Sequence, residues 1–235
     1  MDQLLVALDV ENGARALELA AAVRGIAGGI KIGSRLFTSE GPSIVRALAD
    51  KGDRVFLDLK FHDIPNTVAQ AVSAATSLGV WMLNVHASGG GPMMQAALEA
   101  AGETADREKR HRPLVIAVTV LTSMNGATMA EAGVAGSVLE QVARLARLTK
   151  AAGLDGVVAS PQETALIRQA CGPDFAIVTP GIRGGAAVTS GKDDQERTMT
   201  APEAIAAGAS YIVVGRPIIA ASDPRAAAEQ IAAGF

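Results

Sequence analysis

The sequence predicts an α/β chain folded as one (β/α)8 TIM barrel, on three observations. Short β-rich runs recur eight times, roughly 20–40 residues apart. Each is followed by an Ala/Leu-rich stretch with helical spacing, and strict alternation of this kind makes a parallel sheet. Eight such units in 235 residues suit a closed barrel better than a doubly wound sheet. A dinucleotide fold would want Gly-x-Gly-x-x-Gly after its first strand, and Leu8-Asp9-Val10-Glu11-Asn12-Gly13 is a different turn.

The expected strands are Leu4–Asp9, Gly29–Gly33, Arg54–Lys60, Trp81–Ala87, Leu114–Val120, Asp155–Ser160, Phe175–Gly181 and Tyr211–Arg216. Most read as near-continuous apolar runs, as parallel strands covered on both faces should. Between them, Leu17, Ala20, Ala21 and Arg24 share one helical face; so do Val68, Val72 and Ala75, and Val138, Val142, Leu145 and Leu148. Start signals agree: Asn12 before the first helix, Pro65 opening the third, Ser160-Pro161 before the sixth and Asp223-Pro224 before the last. Two long loops are expected, Ser123–Gly136 and Gly184–Asp194. The second is polar and glycine-rich, which suits a lid. Nothing reads as a linker, so residues 1–235 are expected to form a single barrel.

Composition removes whole classes of function. Apolar residues make up 49 % and charged residues 19 %, enough for a packed core. Five Phe, one Trp and one Tyr leave few platforms for stacking single-stranded nucleic acid. A net charge of −3 offers no attraction to nucleic acid or to an anionic membrane. No apolar run reaches the ~18 residues of a membrane span. The lone Cys171 rules out an internal disulfide and reads as packing. His62, His86 and His111 lack metal-ligand spacing, so no metal is expected. Met1-Asp2-Gln3 is not a basic leader, and a cytoplasmic protein is the expectation. No Gly-x-Ser-x-Gly or Walker-type loop is present.

In such barrels the chemistry sits at the C-terminal ends of the strands. The first run ends at Asp9, the second holds Lys31, and the third ends Leu57-Asp58-Leu59-Lys60-Phe61-His62-Asp63. Period-2 alternation puts Asp58 and Lys60 on one side of the strand, facing the mouth. One buried ion pair could be structural. Four alternating charges at one mouth are a costly way to build a core, since buried ions need pairing, and they point to a site. At the far end, Pro180-Gly181-Ile182-Arg183 and Val214-Gly215-Arg216-Pro217 combine glycine with arginine after the seventh and eighth runs. Those loops are the usual phosphate site of the fold: glycine lets backbone N–H groups approach, and arginine donates in a fork.

The run Asp58-Leu59-Lys60-Phe61-His62-Asp63-Ile64-Pro65-Asn66-Thr67 resembles the signature of the orotidine 5′-phosphate decarboxylase family, Asp-x-Lys-x-x-Asp-Ile-Pro-Asn-Thr. The likeness extends to Val6-Ala7-Leu8-Asp9, Ile30-Lys31-Ile32-Gly33, Val118-Thr119-Val120-Leu121-Thr122-Ser123 and the glycine–arginine segments. It implies cofactor-free decarboxylation of orotidine 5′-phosphate to uridine 5′-phosphate, in pyrimidine biosynthesis. By the same resemblance, Asp9 and Lys31 bind ribose hydroxyls, Asp58 sits against the substrate carboxylate, and Lys60 protonates C6. Thr122 and Ser123 meet the pyrimidine, while Arg183, Gln195, Gly215 and Arg216 hold the phosphate. Asp63 and Thr67 reach into a partner subunit's site, which implies a homodimer. Magnesium-dependent keto-sugar-phosphate decarboxylases share Asp-x-Lys-x-x-Asp but carry an acidic residue where this chain has Lys31. A non-catalytic barrel that binds a phosphorylated metabolite remains a third possibility. The stretch between Arg183 and Gln195 is longer and richer in Gly and Ala than the family pattern.

Overall fold

The computed structural model describes residues 2–183 and 199–235. Among the described residues the strands are β1 (Leu4–Ala7), β2 (Gly29–Gly33), β3 (Val55–Phe61), β4 (Met82–His86), β5 (Leu114–Val118), β6 (Gly156–Val158), β7 (Ala176–Thr179), β8 (Ile182–Arg183), β9 (Met199–Thr200) and β10 (Tyr211–Val214). Eight of them close a parallel barrel in the order β1-β10-β7-β6-β5-β4-β3-β2, while β8 and β9 pair separately. The helices are α1 (Gly13–Val23), α2 (Ser34–Glu40), α3 (Pro42–Ala49), α4 (Pro65–Ser77), α5 (Gly90–Glu108), α6 (Gly126–Glu131), α7 (Val138–Ala151), α8 (Thr164–Cys171), α9 (Ala201–Ala206), α10 (Arg216–Ile219) and α11 (Pro224–Ala232). The (β/α)8 barrel expected from the alternation is the fold observed. None of these helices is long and apolar enough to cross a membrane.

Alternate strand residues separate two cores. Leu5, Ala7, Phe56, Met82, Ile116, Val178 and Val213 fill the barrel interior. Their strand neighbours, such as Leu4, Val6, Val55, Leu57, Leu83 and Val85, pack outward under the helices. Burying a side chain the size of Phe56 or Met82 contributes about 1.5–3 kcal/mol. The floor is aromatic and charged. The Arg54 guanidinium lies 3.8 Å from the Trp81 ring centroid, and Trp81 meets Tyr211 edge-on at 5.2 Å.

Helix starts follow local chemistry. The Asn12 side chain accepts the Arg15 N–H at the head of α1, and Asp223 accepts that of Ala226 at the head of α11. Pro65 opens α4, where its missing N–H costs nothing. Ser160 caps a 3-10 turn, Pro161–Glu163, ahead of α8.

Four sequence expectations change. Several strands are shorter than the apolar runs: β1 stops before Asp9, β5 before Val120, β6 spans Gly156–Val158, and β10 stops before Arg216. Beyond the strand ends Leu8, Val120 and Ala159 are still buried, whereas Asp9 and Arg216 are exposed. Residues 123–136 are not all loop, since α6 forms within them behind a cap made by Asn125 and Thr128. Leu148, on the expected core face of α7, is 36 % exposed, and α7 buries Val142 and Leu145 instead. Arg24 lies just past α1, as its C-cap.

Candidate active site

Four charges form a continuous row at the mouth. The Lys31 ammonium lies 3.3 Å from Asp9 Oδ1 and 3.3 Å from Asp58 Oδ2, and the Lys60 ammonium lies 2.7 Å from Asp58 Oδ1. Asp9 stands just past β1, Lys31 in β2, and Asp58 and Lys60 in β3. Lys31 is 8 % exposed, so its charge is sustainable only between two carboxylates. Gly33 leaves room for this pair. A Cβ there would lie 3.1 Å from Lys31 Nζ and 3.2 Å from Asp9 Oδ1. Gly215 borders the same corner, where a Cβ would come 3.9 Å from Asp9 Oδ2.

Asp58 is paired with both lysines of the row. Burial alone would raise its carboxyl pKa, but Lys31 and then Lys60, with hydrogen bonds from Lys60 and Asn84, more than offset this. The carboxyl therefore titrates below its ordinary range and stays ionised at neutral pH. His86, at the end of β4, shifts down because of burial first, then of His62 and Lys60, with Asp58 opposing. The His62 and His86 ring centroids are 5.3 Å apart.

Asp58 and Lys60 meet as expected, but not through plain alternation. The β3–β4 pairing shifts register between Leu57 and Phe61, and Lys60 has φ 55. A non-glycine residue in this left-handed region costs about 1–2 kcal/mol. The cost is held in place by Asn84, whose side chain accepts the Lys60 N–H at 2.8 Å and donates to Asp58 Oδ1 at 2.7 Å. Asn84 was not among the residues expected to matter. The available signal was its position, two residues past the inward-facing Met82, because a buried polar side chain must find partners.

The remaining expected residues stand on other elements. Thr122 is half-buried and Ser123 exposed in the turn after β5. Arg216 is exposed as the first residue of α10. Asp63 and Thr67 are exposed at the entry to α4. The Asp63 carboxylate accepts the Ile64 N–H at 2.6 Å, and it forms no ion pair among the described residues. Arg183 pairs through its backbone with Thr200. Gln195 and the expected lid, residues 184–194, lie outside the described residues.

A row of fixed, alternating charges with a lysine in hydrogen-bond contact with a carboxylate, and with Gly215 at its corner, can bind an anionic substrate. It can also deliver a proton to carbon. The chain matches the orotidine 5′-phosphate decarboxylase / HUMPS family over residues 2–231. It is 56 % identical over 229 residues to the orotidine 5′-phosphate decarboxylase of Syntrophotalea carbinolica, covering 97 % of this chain and 93 % of that one. It is 54 % identical over 233 residues to the orotidine 5′-phosphate decarboxylase of Moorella thermoacetica, covering 99 % and 91 %. The crystal structure of orotidine 5′-phosphate decarboxylase from Lactobacillus acidophilus matches with a TM-score of 0.87 at 36 % identity, covering 99 % of this chain and 98 % of that one.

Proposed function

Since the chain belongs to the orotidine 5′-phosphate decarboxylase / HUMPS family, we infer that it decarboxylates orotidine 5′-phosphate to uridine 5′-phosphate in pyrimidine biosynthesis. The observation that carries this reading is the row Asp9–Lys31–Asp58–Lys60. The positive charge between Asp9 and Asp58 is the ammonium of Lys31. In the magnesium-dependent sugar-phosphate enzymes an acidic residue stands at that position. A cytoplasmic enzyme working as a homodimer belongs to the same reading.

The chemistry is demanding. The bond from C6 to the carboxylate breaks, CO2 leaves, and the electron pair stays on a vinylic carbon. In our reading Asp58 lies against the departing carboxylate and Lys60 against C6. Two unit charges ~4 Å apart at an effective dielectric of ~20 interact by ~4 kcal/mol. Slow reactions need barrier reductions of up to ~23 kcal/mol. Repulsion by Asp58 is therefore the smaller part. The larger part is assigned to the Lys60 ammonium and other fixed dipoles, which favour the negative charge as it develops. Lys60 then gives its proton to C6 and is left as a neutral amine that regains a proton from water. Asp9 and Lys31 hold the ribose, Thr122 and Ser123 the base, and Gly215 and Arg216, with Arg183 and Gln195, the phosphate. Contacts to that remote group help the chemistry by anchoring the substrate over the row.

The test is the purified chain with orotidine 5′-phosphate, with and without EDTA. The expected result is uridine 5′-phosphate and CO2 at the same rate in both. Loss of activity in EDTA, or turnover of a 3-keto sugar phosphate instead, would overturn the reading.

A further inference from the structure

Asn84 lies in the middle of β4, wholly buried, and both of its side-chain hydrogen bonds run to β3. The ladder between these strands pairs Phe56 with Met82 and Leu57 with Leu83, then resumes at Phe61 with Val85. Asp58, Leu59 and Lys60 thus stand opposite the single residue Asn84. Extra residues in one strand of a pair interrupt the ladder and leave backbone groups without a strand partner. A buried N–H cannot be left so. The Asn84 carbonyl supplies the missing acceptor for Lys60, at the residue whose φ is 55. Its NH2 group donates to Asp58 Oδ1, the same oxygen that the Lys60 ammonium touches. One short amide therefore ties the Lys60 backbone and the Asp58 carboxylate into one unit.

We propose that Asn84 is a positioning residue for the reaction: bridging the Lys60 N–H and the Asp58 carboxylate, it sets where the proton-donating ammonium stands relative to the carboxylate. The task needs an acceptor and a donor on a short stem. Aspartate would supply only acceptors and set a second negative charge against Asp58. Leucine would match the volume and supply neither. The inference rests on the decarboxylase reading, in which Lys60 is the proton donor.

The test compares wild type with Asn84→Ala, Asn84→Leu and Asn84→Asp on orotidine 5′-phosphate. It measures kcat, KM, competitive inhibition by uridine 5′-phosphate, and folding by circular dichroism. The expected result is folded protein with kcat reduced roughly 10- to 150-fold, the scale of losing a hydrogen bond to a charged group. KM and the inhibition constant should stay within about threefold, because other residues hold the ribose and phosphate. Asn84→Asp should be no better than Asn84→Ala at neutral pH. A folded Asn84→Ala or Asn84→Leu protein with kcat within threefold of wild type would overturn the proposal. Equal losses in kcat and in product binding, or failure of all three variants to fold, would assign Asn84 to the scaffold and overturn it too. An inactive wild type would instead bring down the functional reading, and this inference with it.

Discussion

In the proposed reading, Arg216 separates recognition of the phosphate from the chemistry. It follows Gly215, which borders the corner held by Asp9, and is well apart in sequence from Lys60. Losing one charge-assisted contact costs ~1.5–3 kcal/mol, or roughly 10- to 150-fold in kcat/KM. Arg216→Ala should therefore impair turnover of orotidine 5′-phosphate far more than turnover of the phosphate-free nucleoside orotidine. Equal losses on both would remove Arg216 from the phosphate site. At this scale the sequence was highly informative: the alternating Lys31, Asp58, Lys60 and Asp63 stood out with Asp9 as charges at strand ends, and the structure brings Asp9, Lys31, Asp58 and Lys60 into one row while Asp63 stands exposed at the entry to α4. Asn84 did not stand out. A single amide in an apolar run carries no periodic signal, and its purpose depends on a break in the neighbouring strand.

That break shows what element-level reasoning can and cannot reach. Period-2 counting put Asp58 and Lys60 on one face, whereas the actual β3 leaves its regular ladder after Leu57 and turns at Lys60. Nothing in local propensity favours a left-handed lysine; tertiary hydrogen bonds impose it. Likewise α6 is too short to show helical spacing, and only Asn125 followed by Thr128 marked its start. The end of β4 carries a pH dependence. Burial, then His62 and Lys60, hold the His86 imidazole below its ordinary 6.5. The unfolded chain therefore binds a proton at higher pH than the folded one, and stability falls as pH drops below about 6.5 toward the folded value. Asp58 acts in the same direction in a lower window, below the ordinary 3.8. Thermal melts at about pH 7.5 and pH 5.5 should show a smaller drop for His86→Gln than for wild type. An identical drop in both would mean that another group sets the slope.

At the scale of the whole molecule, the alternation of strands and helices made the barrel legible, because parallel strands covered on both faces leave long apolar runs. Whether copies associate is not written in such periodicity. Asp63 and Thr67 are exposed, and Ile64 between them is 66 % exposed, which suits a surface completed by a second copy. If the sites are shared, mixing Lys60→Ala with Asp63→Ala under subunit exchange should restore about a quarter of the sites. About half of the dimers are then mixed, and each of those holds one site free of both defects. Demonstrated exchange without recovered activity would refute sharing. The central claim is that this barrel decarboxylates orotidine 5′-phosphate with Lys60 as proton donor. Its most direct test follows the loss of orotidylate ultraviolet absorbance with wild type and with Lys60→Ala, both shown to be folded. Wild type should convert it rapidly to uridine 5′-phosphate, and the variant essentially not at all. A wild type that leaves the absorbance unchanged, or a variant within tenfold of it, would contradict the account.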